Sequence, residues 1–129
     1  MPSLNRIGPL MGHLTADLEL KHTQDGTPFV SFTIGINGGK RADGEDPRTD
    51  FIPVELWGGW AENLAKTARK GSLILVAEGR LQQDRWVERR SNQPRSRIKV
   101  RASRAFHVEA QYAEDVPEPA DDVPEKVPF

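Results

Sequence analysis

The chain has 129 residues, 18 Lys/Arg against 19 Asp/Glu, a formal net charge of −1, and no cysteine. That length allows one domain with a modest core. The lack of cysteine excludes a disulfide framework and a thiolate metal site, and no apolar run approaches the roughly 20 residues of a membrane helix.

The N-terminal MPSLNRIG has no apolar h-region and no small-residue cleavage site, so a soluble intracellular protein is expected. Asn5 to Leu14 reads as an irregular strand (Ile7, Leu10, Met11, Leu14), with Pro9 marking an edge or a bulge. Leu18 and Leu20 alternate with Glu19 and Lys21 and continue the strand character. Gln24-Asp25-Gly26-Thr27 is a hairpin turn, because Asp-Gly supplies the positive φ such turns need. The next strand, Phe29 to Ile36, places Val30, Phe32, Ile34 and Ile36 on a core face. Asn37 to Thr49 is a long Gly-, Asp- and base-rich loop, of a kind that is usually functional or mobile. Asp50 to Trp57 alternates again, with Phe51, Pro53, Glu55 and Trp57 on one face and Ile52, Val54 and Leu56 on the core face.

One helix is expected where Ala61, Leu64, Ala65 and Ala68 recur at i, i+3, i+4 and i+7, with Arg69-Lys70-Gly71 as its basic end and C′ glycine. Ser72 to Gln83 is a long strand, Trp86 to Pro94 a polar hairpin region, and Arg95 to Phe106 a last strand. Three strands, a helix and two strands in that order predict an all-β OB-fold. This is a five-stranded, partly open Greek-key barrel with its helix between the third and fourth strands. The boundary falls at 111/112. Residues 1–111 form the domain and carry 17 bases against 13 acids; residues 112–129 carry one base against six acids, with four prolines. Such a tail cannot bury enough apolar surface to offset its ordering entropy, so it is expected to be disordered.

The basic residues gather in one region, with nine between Arg80 and Arg104 against two acids. In the last strand Arg97, Lys99 and Arg101 alternate onto one face at about 6.6–7 Å intervals, which suits either a phosphate track or a solvated outer face. Arg80, Arg85, Arg89, Arg90 and Arg95 crowd the preceding hairpin and favour the track. Trp86 beside Arg85, and Phe51 and Trp57 opposite a core face, suit base stacking beside phosphate contacts. Trp60 is expected to pack on the helix or cover the barrel end, and Phe29, Phe32 and Phe106 to be core or interface.

Enzyme-type signals fail. Gly35 to Arg41 lacks both the first glycine and the Ser/Thr of a phosphate loop. His13, His22 and His107 are far apart without ligand spacing, and the acids Asp43, Glu45, Asp46 and Asp50 lack the order of a calcium loop. No catalytic residue, metal or cofactor is expected.

Taken together, these segments resemble the bacterial single-stranded DNA-binding proteins. The resemblance rests on Asn5-Arg-Ile7, Gly12 to Leu20, Gly26 to Ile34, Asp50 to Gly58 with Ala61-Glu62, Lys70 to Leu73, Glu78 to Leu81 with Arg85-Trp86, and the terminal Pro128-Phe129 after acids. It implies a homotetramer that binds single-stranded DNA without sequence preference in replication, recombination and repair, in the cytoplasm at the nucleoid. The family's stacking positions fall on Phe51, Trp57 and Trp86. A further aromatic position falls near Lys40, which with Arg41 offers phosphate contacts instead. The tail implies recruitment of replication and repair proteins through Asp121, Asp122, Pro128 and Phe129. This chain departs from the pattern in having almost no linker before the tail, in Lys126 where an acid is expected, and in Ala77, one residue extra and read as a bulge. The alternative is an OB-fold protein-interaction subunit of a replication or primosome assembly that binds DNA weakly.

Overall fold

The computed structural model describes residues 2–38 and 48–108. The expected tail, with Asp121, Asp122, Pro128 and Phe129, and the loop bases Lys40 and Arg41 lie outside the described residues. The strands are β1 (Leu10–Leu14), β2 (Lys21–His22), β3 (Pro28–Asn37), β4 (Thr49–Trp57), β5 (Leu73–Val87) and β6 (Pro94–His107); helix α1 (Gly59–Thr67) sits between β4 and β5.

The strands pair in the order β1-β5-β6-β4-β3-β2, and β1 also pairs with β3, which closes the sheet into a barrel. All pairs are antiparallel except β4 with β6. If β1 and β2 are taken as one interrupted first strand, this is the OB topology that the element order predicts. The interruption is the reason the structure has six strands rather than five: Leu18 and Leu20 pack half-buried against the core from outside any ladder.

Period-two alternation fills the interior. Val30, Phe32 and Ile34 of β3, Val54 and Leu56 of β4, Ile74 and Val76 of β5, and Val100 and Ala102 of β6 all point inward and are buried. Ala61, Leu64 and Ala68 cover one barrel end from the helix side, as the i, i+3, i+7 spacing requires. The helix stops earlier than expected. Its C-cap is Ala68 in extended conformation, so Gly71 (φ 91°) belongs to the following turn and is not its C′ residue. Trp60 packs against Phe106 with ring centroids 6.4 Å apart.

Ala77 is the extra residue of a bulge. Val76 pairs with Ala105 and Glu78 with Arg104, leaving Ala77 unmatched, and the register shifts again before Gly79 meets Ala102. The N-terminal segment secures this irregular stretch. Ile7 and Gly79 exchange both backbone hydrogen bonds (2.8 and 2.9 Å), Asn5 caps both backbone groups of Leu81, and Arg6 and Arg104 pair with Glu78.

Barrel closure brings β1 and β3 into direct backbone contact at Gly12. A Cβ there would lie 2.6 Å from the Gly35 carbonyl oxygen, a backbone atom that can move only with the strand. Gly12→Ala should therefore lower stability by about 1–3 kcal/mol, the scale of overpacking, seen as an earlier midpoint in urea unfolding. An unchanged midpoint would mean that β1 and β3 do not close as described.

Candidate nucleic-acid interface

The parallel register Glu55↔Arg101 brings the outer face of β4 beside the outer face of the β5–β6 hairpin. Residues directly paired across β5 and β6 share a face. One face carries Arg80 with Arg101, Gln82 with Lys99, Asp84 with Arg97, and Trp86 with Arg95; the other carries Leu81 with Val100, Gln83 with Ile98, and Arg85 with Ser96. Trp57, Arg80, Arg97, Arg101 and Trp86 therefore share one surface, as the alternation requires.

Phe51 lies at one side of this surface, 64% exposed. It pairs with Gly35, and its ring packs over that glycine: a Cβ there would be in ordinary contact, 3.5 Å from Phe51 Cε1. Trp86 is 47% exposed near the far end of the hairpin. Trp57 is half-buried and flanked from both neighbouring strands. Phe29 of β3 stacks on it (centroids 4.7 Å apart, 21° between planes), and the Arg101 guanidinium of β6 sits 5.2 Å from its centroid. Phe29, expected as core or interface, is thus part of the aromatic site. A groove beside Trp57 is lined by Asn5, Arg6, Glu78, Arg80 and Arg101.

Lys99 departs from the expected track. It is on the correct face but only 8% exposed. Its Nζ donates to Glu55 Oε2 (2.8 Å) and lies 2.8 Å from Asp84 Oδ2. The cation that alternation offers to phosphate is already held by two carboxylates. Glu55 also accepts from the Trp57 indole N–H (2.8 Å). Burial pushes the Glu55 carboxyl up, but the Lys99 and Trp57 hydrogen bonds and the nearby Lys99 and Arg101 charges outweigh it and hold the group below its ordinary value. Asp84 is lowered chiefly by its hydrogen bond to Lys99. Burial works to lower Lys99, and the two carboxylates more than reverse this and raise it.

The remaining bases divide. Arg80 and Arg97 are exposed on the Trp57 face, and Arg101 is half-buried against the ring. Arg85 projects from the opposite face to Trp86, with Nη2 donating to Gln83 Oε1 (2.6 Å). Arg89 and Arg90 are exposed in the turn between β5 and β6, and Arg95 pairs with Glu88 (2.9 Å). The ion network was not legible beforehand. Alternation places Glu55 on the Trp57 face, but the residues that meet it, Lys99 and Asp84, come from strands 44 and 29 positions away in sequence.

The model of the Single-strand binding protein family matches residues 5–109. The chain belongs to that family. It is 34% identical over 94 residues to single-stranded DNA-binding protein 1 of Synechocystis, covering 73% of this chain and 75% of that protein. It is 41% identical over 73 residues to the single-stranded DNA-binding protein of Streptococcus pneumoniae, covering 57% of this chain but 46% of that protein's length. In structure it is similar to the Plasmodium falciparum SSB solved in complex with ssDNA, with TM-score 0.69 and 22% identity over 83% of this chain and 96% of that one; that likeness shows the fold.

The ion network carries a pH signature. Glu55 and Asp84 are depressed below their ordinary 4.5 and 3.8, so their contribution to stability is full above those values and is lost as pH falls through the lower folded values. Lys99 is raised above 10.5, so its contribution is full below 10.5 and is lost as pH climbs through the folded value. Thermal midpoints measured across pH should show a plateau flanked by an acid and an alkaline decline. Lys99→Met should flatten both flanks, and a variant that keeps both would place the charges elsewhere.

Proposed function

We propose that this protein coats single-stranded DNA along the outer face of β4, β6 and β5. Bases stack on Phe51, Trp57 and Trp86, and phosphates meet Arg80, Arg97 and Arg101. The observation that carries the reading is the sharing of one surface by Trp57, Trp86 and the arginines between them. Stacking is indifferent to sequence because every base has a π-face. Arg101 covers the Trp57 ring before DNA arrives. A base entering there takes the guanidinium's place, and the released cation turns to the backbone phosphate.

Arg89 and Arg90 extend the positive surface at the hairpin end, Arg85 meets phosphate only where the strand passes around the hairpin edge, and Lys40 and Arg41, between β3 and β4 in sequence, are further phosphate contacts in this reading. The role extends to replication, recombination and repair, with the acidic tail recruiting partner proteins through Asp121, Asp122, Pro128 and Phe129. A homotetramer is part of the same reading, supported by the apolar Leu81, Val87 and Ile98, exposed on the hairpin face opposite Trp86.

Titration with oligo-dT, followed by tryptophan fluorescence at several salt concentrations, tests the reading. Strong quenching with a steep salt slope is expected. Trp57→Ala and Trp86→Ala should each cost about 1–3 kcal/mol of binding, and Arg80→Ala should reduce the log–log salt slope by about 0.7. Absence of quenching and of DNA retention at low salt would overturn the reading in favour of a protein-interaction subunit.

A further inference from the structure

The middle of the outer face carries a cation, Lys99, that is almost wholly withdrawn from solvent between two carboxylates. One of those carboxylates, Glu55, also holds the Trp57 indole. We infer that Lys99 makes no phosphate contact and is a positioning residue: it bridges Glu55 and Asp84, offsets one of their two charges at the centre of the DNA face and, through Glu55, fixes the Trp57 ring for stacking.

The geometry leaves Lys99 little freedom to do otherwise. A Lys side chain that turned outward to a phosphate would leave Glu55 and Asp84 uncompensated, and Glu55 is the more enclosed of the two, with 14% of its side chain exposed against 30% for Asp84. Two bare carboxylates beneath the nucleic-acid backbone would repel it and would leave buried charge without a partner. The surrounding groups agree. Arg101 lies beside Glu55 in the β4–β6 register, Arg97 opposite Asp84 in the β5–β6 register, and Gln82 Nε2 donates to Asp84 Oδ1 (3.2 Å). The exposed cations of this face are Arg80, paired across the strands with Arg101, and Arg97, paired with Asp84. The phosphate path then follows these exposed arginines and passes over Lys99 without meeting it. Lys99 then governs affinity without touching the ligand, through the charge it cancels and the aromatic ring its partner holds.

The inference rests on the single-stranded DNA reading, and the test separates the two. Wild type, Lys99→Met, and the triple variant Lys99→Met/Glu55→Gln/Asp84→Asn are titrated with oligo-dT across salt. Circular dichroism melting confirms that each variant is folded. Met keeps the aliphatic stem of Lys99, Gln keeps an acceptor for the Trp57 indole, and Asn keeps one for Gln82. The single variant should bind about ten- to a hundred-fold more weakly, as expected when a charge partner is left unpaired. The triple variant, which removes all three charges and with them a net −1, should bind at least as tightly as wild type and keep the wild-type salt slope. A triple variant that stays weak, with its slope lowered by about 0.7, would make Lys99 a phosphate contact and overturn the inference. A single variant that binds like wild type would also overturn it. Wild type that fails to bind oligo-dT would defeat the DNA reading itself. If the single variant does not fold, the triple variant alone still decides, through its affinity and slope.

Discussion

The parallel pairing of β4 with β6 is the contact on which the rest of the molecule depends. It is short, three residue pairs from Val54↔Val100 to Leu56↔Ala102. It joins the β3–β4 hairpin to the β5–β6 hairpin. Parallel neighbours need a long crossover, and here α1 and the whole of β5 supply it, with the helix closing the barrel end on the way. On the inner side of the pairing, Val54, Leu56, Val100 and Ala102 form part of the buried core. On the outer side, the same register sets Glu55 beside Arg101 and so brings Trp57 against the basic strand. Because side chains alternate with a period of two, a slip of one residue would move Val100 and Ala102 out of the core and turn Arg101 into it. The core thus enforces the register, and the register builds the aromatic and basic face.

This dependence explains what was legible in the sequence and what was not. Local patterns carried the fold: Val30/Phe32/Ile34 and Val54/Leu56 alternate inward as read, Asp25-Gly26 makes its turn with Gly26 at φ 88°, and the extra Ala77 is a bulge. The same alternation correctly gave the exposed face of Phe51 and Trp57. The ends of elements were less visible. The helix stops at Ala68 because the chain turns extended there, and Leu18 and Leu20 make no ladder although their pattern alternates.

Lys99 shows the limit most clearly. Alternation with Arg97 and Arg101 gives its face correctly but not its burial or its ion pairs, because period-two reasoning reports direction and not neighbours. The two carboxylates that enclose it arrive through one parallel and one antiparallel pairing, and neither register is written in the residues around Lys99. Phe29 is a similar case: its pairing with Trp57 makes it part of the aromatic site, while in sequence it is only the first apolar residue of a strand. Arg85 and Trp86 make the converse point. Adjacent in sequence, they fall on opposite faces of β5, so proximity along the chain overstated their proximity in space.

In the proposed binding mode, the distribution of charge on the outer face bounds how binding is divided between its two sources. With Lys99 neutralised and Arg95 paired to Glu88, the described bases of that face left to meet phosphate are Arg80, Arg97 and Arg101. At about 0.7 per phosphate on a single strand, three contacts give a log–log slope near 2 per protomer from this face. Three aromatic platforms at about 1–3 kcal/mol each supply a comparable or larger share that salt does not screen. Arg101 begins on the Trp57 ring, so part of its phosphate energy is offset by the cation–π contact it gives up. The proposed mode is therefore weighted toward stacking, with the arginines flanking the path and the bases on the aromatic rings. In that mode Lys99, by offsetting one of the two carboxylate charges of β4 and β5, reduces their opposition to the ligand.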